Sequence, residues 1–129
     1  MPEKIIVAVD FDGTLCDNDY PKAGAEHWNL IHALQELKVE GKIDLILWTC
    51  REEENLKFAI DWCKERGLIF DAVNENLPRV IEKYHGDTRK VSADIYIDDL
   101  SYPTRIYKAS TIWSIKYDIL GDQIKEEKK

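Results

Sequence analysis

Two aspartates, Asp10 and Asp12, flank Phe11 in the stretch "IIVAVDFDGTLCDN", and a second acidic pair, Asp98 and Asp99, closes the stretch "ADIYIDD". Carboxylates this crowded repel one another. Unit charges about 4 Å apart cost about 4 kcal/mol at an effective dielectric near 20, a large share of a domain's net stability of roughly 5–15 kcal/mol. Such a cluster calls for a cation. Hard oxygen donors without His or Cys suit Mg²⁺, which binds through one or two carboxylates together with substrate phosphate. One carboxylate can then attack phosphorus to form an aspartyl-phosphate that water later cleaves. A second, two positions on, can protonate the leaving oxygen and afterwards deprotonate the water. Thr49, Lys90 and backbone N–H groups of the acidic turn would balance the oxygens of the transferring group. Among the basic residues, Arg51 has the best position to read the substrate. Gly13 lets the backbone turn and approach without a side chain in the way.

These residues lie on different parts of the chain, so the elements between them must bring them together. "IIVAV" is rich in β-branched residues and does not alternate with polar ones, which predicts a strand over 4–10 buried on both faces, as in a parallel sheet. "NDYPKAGAE" reads as a loop. Leu30, Ile31, Leu34 and Leu37 then form the stripe of a helix over about 27–40, ended by Gly41. A second strand, "IDLILWT" (43–49), precedes "REEEN", whose acidic residues suit a helix start. Leu56, Ala59, Ile60 and Cys63 give that helix its buried face, and Gly67 stands at its end. "LIFDAV" (68–73) is a short third strand, a helical turn is expected around 80–84, and "ADIYIDD" is the fourth strand. Beyond Asp99 two readings stay open: a fifth strand in "TRIYKAS" or "STIWSI", or a terminal helix with Trp113, Tyr117, Leu120 and Ile124 on one face. Alternating strands and helices predict an α/β fold, a mostly parallel sheet between helical layers. In such sheets ligands gather beyond the carboxyl ends of the strands, where the first strand delivers Asp10 and Asp12, the second Thr49 and Arg51, and the fourth Asp98 and Asp99.

The chain has 129 residues, 44% of them hydrophobic, which matches one domain with one core. Its net charge of -7 works against binding a polyanion, so nucleic acid is a disfavoured partner. No apolar run approaches the roughly 18 residues of a membrane span, and the N-terminus lacks a signal-peptide pattern, so a cytoplasmic protein is expected. Cys16, Cys50 and Cys63 are odd in number and lack C-x-x-C spacing, which argues for reduced thiols. His27, His32 and His85 show no ligand spacing.

In this order, the residues resemble the haloacid dehalogenase superfamily of phosphotransferases. "VAVDFDGTL" is similar to its first motif, "LILWTCR" to its second through Thr49, Lys90 to its third, and "IYIDD" to its fourth. The resemblance implies a Rossmann-like three-layer sandwich with Asp10 as nucleophile and Asp12 as general acid and base. It also implies Mg²⁺ held by Asp10, the Asp12 backbone carbonyl and Asp98, with Asp99 direct or through water. Thr49 and Lys90 would bind the phosphoryl group, with Arg89 and Lys83 as further candidates. Members often carry a cap domain; here the gaps Leu15 to Ala23 and Asn74 to Arg89 are too short for one, which implies a capless form with an open site. A phosphorylated substrate, small or macromolecular, would be the partner, and a second copy of the chain could serve as lid. Two rivals remain: a receiver-like phospho-acceptor module, in which the accepting aspartate ends a middle strand, and a catalytically idle binding protein on the same fold.

Overall fold

The computed structural model describes residues 4–86, 91–98 and 111–121. Four strands, β1 (Ile5–Val9), β4 (Ile43–Leu47), β5 (Ala72–Val73) and β6 (Ile95–Ile97), form one sheet in the order β5-β4-β1-β6, every pair parallel. Among the described residues four helices accompany them: α1 (Trp28–Val39), α2 (Glu53–Glu65), α3 (Pro78–Tyr84) and α4 (Ile112–Leu120). The architecture is the expected α/β one, a Rossmann-like parallel sheet flanked by helices.

The two faces of the sheet explain the non-alternating strand sequences. On one face Val7, Val9, Leu45, Leu47 and Ile97 pack with Leu30, Leu34 and Leu37 of α1, Ala59 and Cys63 of α2, and Ile115 and Ile119 of α4. On the other, Ala8, Ile46 and Ala72 pack with Leu77 and Val91, joined by Val80 of α3 and Trp48. Successive strand residues therefore enter opposite cores, which makes β1 wholly apolar; in β4 the exception is Asp44, near the strand's start, which pairs with Lys4 and Arg79.

At the C-terminus the helix reading holds over 112–120, and Gly121 is its C-cap. The buried face matches the expected one at Leu120 and departs from it elsewhere. Ile115 and Ile119 point inward with Leu120, while Trp113 is largely exposed and stacks on Tyr117. Burying the three aliphatic residues brings α4 against α1, where Lys116 pairs with Glu36 and Glu40. "TRIYKAS" and Ile124 lie outside the described residues, and "STIWSI" is helical from Ile112 onward.

A second departure is the segment read as a loop. Residues Cys16–Asp19 (β2) and Lys22–Glu26 (β3) form an antiparallel hairpin joined at a cis Tyr20–Pro21 bond. "CDND" and "KAGAE" are poor strand formers by propensity, and packing context overrides that weak preference. Side chains tie the hairpin to the body: Arg66 pairs with Glu26, His27 bridges Thr14 and Asp17, Arg51 reaches the carbonyls of Pro21 and Lys22, and Asn55 donates to the Tyr20 hydroxyl. Among the described residues neither this hairpin nor the stretch 74–86 forms a separate cap. No helix of the described residues is long and apolar enough to cross a membrane.

The outer strands β5 and β6 are short, and aspartates extend their pairing. The Asp71 N–H donates to the Leu45 carbonyl (2.7 Å) while its Oδ2 accepts from the Leu45 N–H (2.7 Å). Asp94 treats Ile6 in the same way, at 2.8 Å for both bonds. Replacing Asp71 by Ala should therefore lower stability by about 1–2 kcal/mol, as expected for an orphaned strand amide, while Asn at that position keeps an acceptor and restores part of it. Urea unfolding of the two variants checks this; equal stability of Ala and wild type would refute it. Burial also pushes the Cys16 thiol up to about 11 and the Cys63 thiol up to about 12, so both stay protonated at neutral pH. Cys50 is exposed. Mass spectrometry after brief iodoacetamide treatment of native protein at pH 8 should find Cys50 alkylated and the other two intact.

Candidate active site at the carboxyl edge of the sheet

Strand register brings the site together. Val9 lies opposite both Leu47 and Ile97, so β1, β4 and β6 end at one level. The Asp10 N–H donates to the Ile97 carbonyl (2.9 Å), and the Trp48 N–H donates to the Val9 carbonyl (2.8 Å). Asp10 thus has Asp98 beside it on one neighbouring strand and Trp48, followed by Thr49, on the other, with about 4.8 Å between strand axes. This edge is also where the chain order reverses: β1 connects to β4 on one side, while β6 is added on the other. Crevices at such switch points are the usual ligand sites of open α/β sheets.

Phe11 explains the shape of the acidic turn. It is fully buried, meets Trp62 edge to face at 5.3 Å, and anchors the chain while the aspartates on either side stay partly exposed. The turn closes with Thr14 and Leu15 N–H groups donating to the Phe11 carbonyl (3.2 and 3.0 Å). Gly13 sits within it at φ +79, a left-handed conformation costly for a residue with a Cβ. The Asp10 carboxylate accepts from the Phe11 N–H at 2.7 Å, which sets its orientation.

Thr49 is held from two directions. Its N–H donates to Asn74 Oδ1 (2.8 Å), and its Oγ1 accepts from the Arg51 N–H (3.2 Å). A hydroxyl that accepts in this way retains its own proton to donate. Asn74 lies just past β5 at φ +53, a conformation Asn tolerates better than most residues, and its N–H donates to the Leu47 carbonyl (2.8 Å). Asn76 is almost fully buried and accepts from the Ser92 N–H (2.5 Å), so the "NEN" segment ties the loop after β4 to the approach to β6.

Arg51 does not face a substrate. It is 2% exposed, and its guanidinium forms a bidentate pair with Asp12, Nε to Oδ2 at 2.8 Å and Nη2 to Oδ1 at 2.7 Å. Nη1 donates to the carbonyls of Pro21 (2.8 Å) and Asn55 (3.2 Å), and Nη2 also to that of Lys22 (2.7 Å). These bonds use all five donors of the group. The expectation that Arg51 reads substrate therefore gives way to an internal role, because no guanidinium N–H is left for a ligand in this arrangement. The bonds to Asp12 hold the guanidinium pKa above its ordinary value.

The acidic cluster is correspondingly divided. Asp12 has Arg51 as its partner, and Asp10 and Asp98 directly follow the paired ends of β1 and β6. Among the described residues no group of three or more His, Cys, Asp or Glu side chains is arranged to hold a metal ion. Carboxylate and carbonyl oxygens of the kind that Asp10, Asp98 and Asp12 carry are the hard donors Mg²⁺ takes, with water and phosphate commonly completing its shell. Lys90 and Asp99, and with them Arg89, lie outside the described residues; Lys83 is on α3 beside Tyr84, lining a cleft of about 260 Å³ with Lys4 and Asp94. Lys4 and Asp94 immediately precede β1 and β6, so that cleft is at the opposite end of the sheet from Asp10.

Three supporting residues had no signal in the sequence that singled them out. His27 places one ring nitrogen 2.5 Å from the Thr14 carbonyl and the other 2.8 Å from Asp17, joining the acidic turn to the hairpin. Asn74 and Asn76 read as ordinary loop residues, and only their partners reveal their work.

No family model matches the chain, and no curated protein matches it. Among solved structures it is similar to a conserved protein of Bacteroides thetaiotaomicron, with 38% sequence identity and a TM-score of 0.73 over 98% of this chain and 94% of that one. Identity at that level across nearly the full length of both chains, with one shared fold, means that this protein belongs to the same family as the Bacteroides protein.

Proposed function

We propose that the protein is a Mg²⁺-dependent phosphomonoester hydrolase of the haloacid dehalogenase type, working through an aspartyl-phosphate on Asp10. One observation carries the reading: the register that sets Asp10 beside Asp98 on one neighbouring strand and next to the Thr49 strand on the other, at the switch point of the sheet.

In this mechanism the Asp10 carboxylate attacks the phosphorus of a bound ester. The phosphorus–oxygen bond to the leaving group breaks, and Asp12, which must enter this step protonated with one oxygen still accepting from Arg51, gives that oxygen its proton. Asp12 then takes a proton from water as the water attacks phospho-Asp10, releasing inorganic phosphate and regenerating the carboxylate. The Phe11 N–H keeps the nucleophile oriented, and the Thr49 hydroxyl donates to a phosphoryl oxygen. Asp10, Asp98 and the Asp12 carbonyl would hold Mg²⁺, with Asp99 direct or through water as the resemblance implies; when bound, the ion would offset the charge of the carboxylates and the phosphate. Lys90 would add a further positive charge. The three thiols are unpaired, which suits a reducing cytoplasmic setting.

Strand order supports this reading over a receiver module. Numbered within the sheet, the strands run 3-2-1-4, the Rossmann arrangement, whereas receivers run 2-1-3-4-5.

The test is hydrolysis of aryl phosphates and a panel of phosphorylated metabolites with Mg²⁺. Asp10→Asn should reduce turnover by about 10³-fold or more with the fold intact, and chelation should abolish activity until Mg²⁺ is restored. Thr49→Val should lower kcat by roughly a hundredfold, as for loss of one preorganised donor. Undiminished turnover in Asp10→Asn would remove the mechanism, and a metal-replete screen without any turnover would favour a binding protein.

A further inference from the structure

We propose that Arg51 is a positioning residue that holds the Asp12 carboxylate in place for proton transfer and couples it to the 16–26 hairpin. The assignment rests on the hydrolase reading above, since it gives Arg51 its effect through Asp12.

The geometry ties three segments to one planar group. Two guanidinium donors fix both oxygens of Asp12, two more hold consecutive carbonyls at the hairpin turn, and the last holds Asn55 in the first turns of α2. A bidentate carboxylate contact removes rotational freedom that a single hydrogen bond would leave. The rings of Phe11, Tyr20 and Phe58 lie 4.7, 5.0 and 5.7 Å from the guanidinium carbon, and Tyr20 is itself tied to Asn55 through its hydroxyl (2.9 Å). Aromatic faces around the cation shield it from water and strengthen its contacts.

The local backbone shows the same constraint. Glu53, two residues on, holds φ +48, which disfavours an L residue by about 1–2 kcal/mol. Strain of this kind persists where the surroundings over-determine the conformation, and the carbonyl of Asn55, two residues further on, is held by Arg51 Nη1. The backbone N–H of Arg51 also holds Thr49 Oγ1. One residue thus links Asp12, Thr49 and the 16–26 hairpin. Lys could not replace it, because an ammonium offers three donors and no planar fork.

A positioning role predicts dependence on the leaving group. An ester that departs as a weakly basic phenolate needs little help from an acid; one that departs as a more basic oxygen needs Asp12 in place. We expect Arg51→Lys to lower kcat by roughly a hundredfold on phenyl phosphate and by less than about tenfold on 4-nitrophenyl phosphate, with little change in KM. Deuterium uptake in the 16–26 hairpin should rise while that of β1 and β4 stays at the wild-type level. If Arg51→Lys does not fold, Arg51→Met, which leaves no unmatched buried cation, carries the same comparison. Equal losses on the two esters, or unchanged kinetics, would overturn the assignment while the hydrolase reading stands. A wild-type protein that turns over neither ester with Mg²⁺ would overturn both.

Discussion

Everything at the carboxyl edge depends on β1 being paired in parallel register on both sides. A parallel ladder fixes how far each strand extends relative to its neighbour, and here β1, β4 and β6 finish together. The next residues on each strand must then share one small region of space, whatever their charge. A shift of one residue would send Asp10 to the other face of the sheet and bring Val9 to the edge. The two cores prevent that shift, because every residue from Ile6 to Val9 has a specific apolar partner above or below.

Convergence of carboxylates creates an electrostatic cost that the molecule meets in two ways. Asp12 is matched by Arg51, a buried protein cation with every donor in use. In the function we propose, a divalent ion would answer the charge of Asp10 and Asp98, which lie partly buried at the strand ends. Burying the first pair is tolerable because its geometry is bidentate and the other guanidinium donors meet backbone carbonyls. The same arrangement pulls the hairpin onto the body of the protein, so charge neutralisation and placement of the hairpin are one structural event.

Much of this was legible in the residues. The apolar strand before "DFDGT", the helix stripes and the acidic pair after "IYI" follow from side-chain period and composition, and these have local causes. The hairpin was not legible, because "DNDYPKAGAE" has no strand pattern of its own and is held by Arg51, His27 and Arg66 from elsewhere in the chain. Part of the buried face of α4 was misplaced for a related reason. Leu120 is buried as its position suggested, but the space against α1 also takes Ile115 and Ile119 where an aromatic residue had been expected, and Trp113 lies outward, stacked on the half-buried Tyr117.

Arg51 shows most clearly where each level of information stops. Its type and its place two residues after Thr49 put a cation at the right edge of the sheet. Whether the guanidinium turned outward to a substrate or inward to Asp12 depended on carbonyls presented by a hairpin some 30 residues earlier in the chain. The sequence by itself determined which elements form and which chemical groups their ends carry, because hydrophobic period and backbone preference act over a few neighbouring residues. Only the tertiary structure decided how those groups pair, because ion pairs and hydrogen bonds act over a few ångströms and depend on what the fold brings within that range.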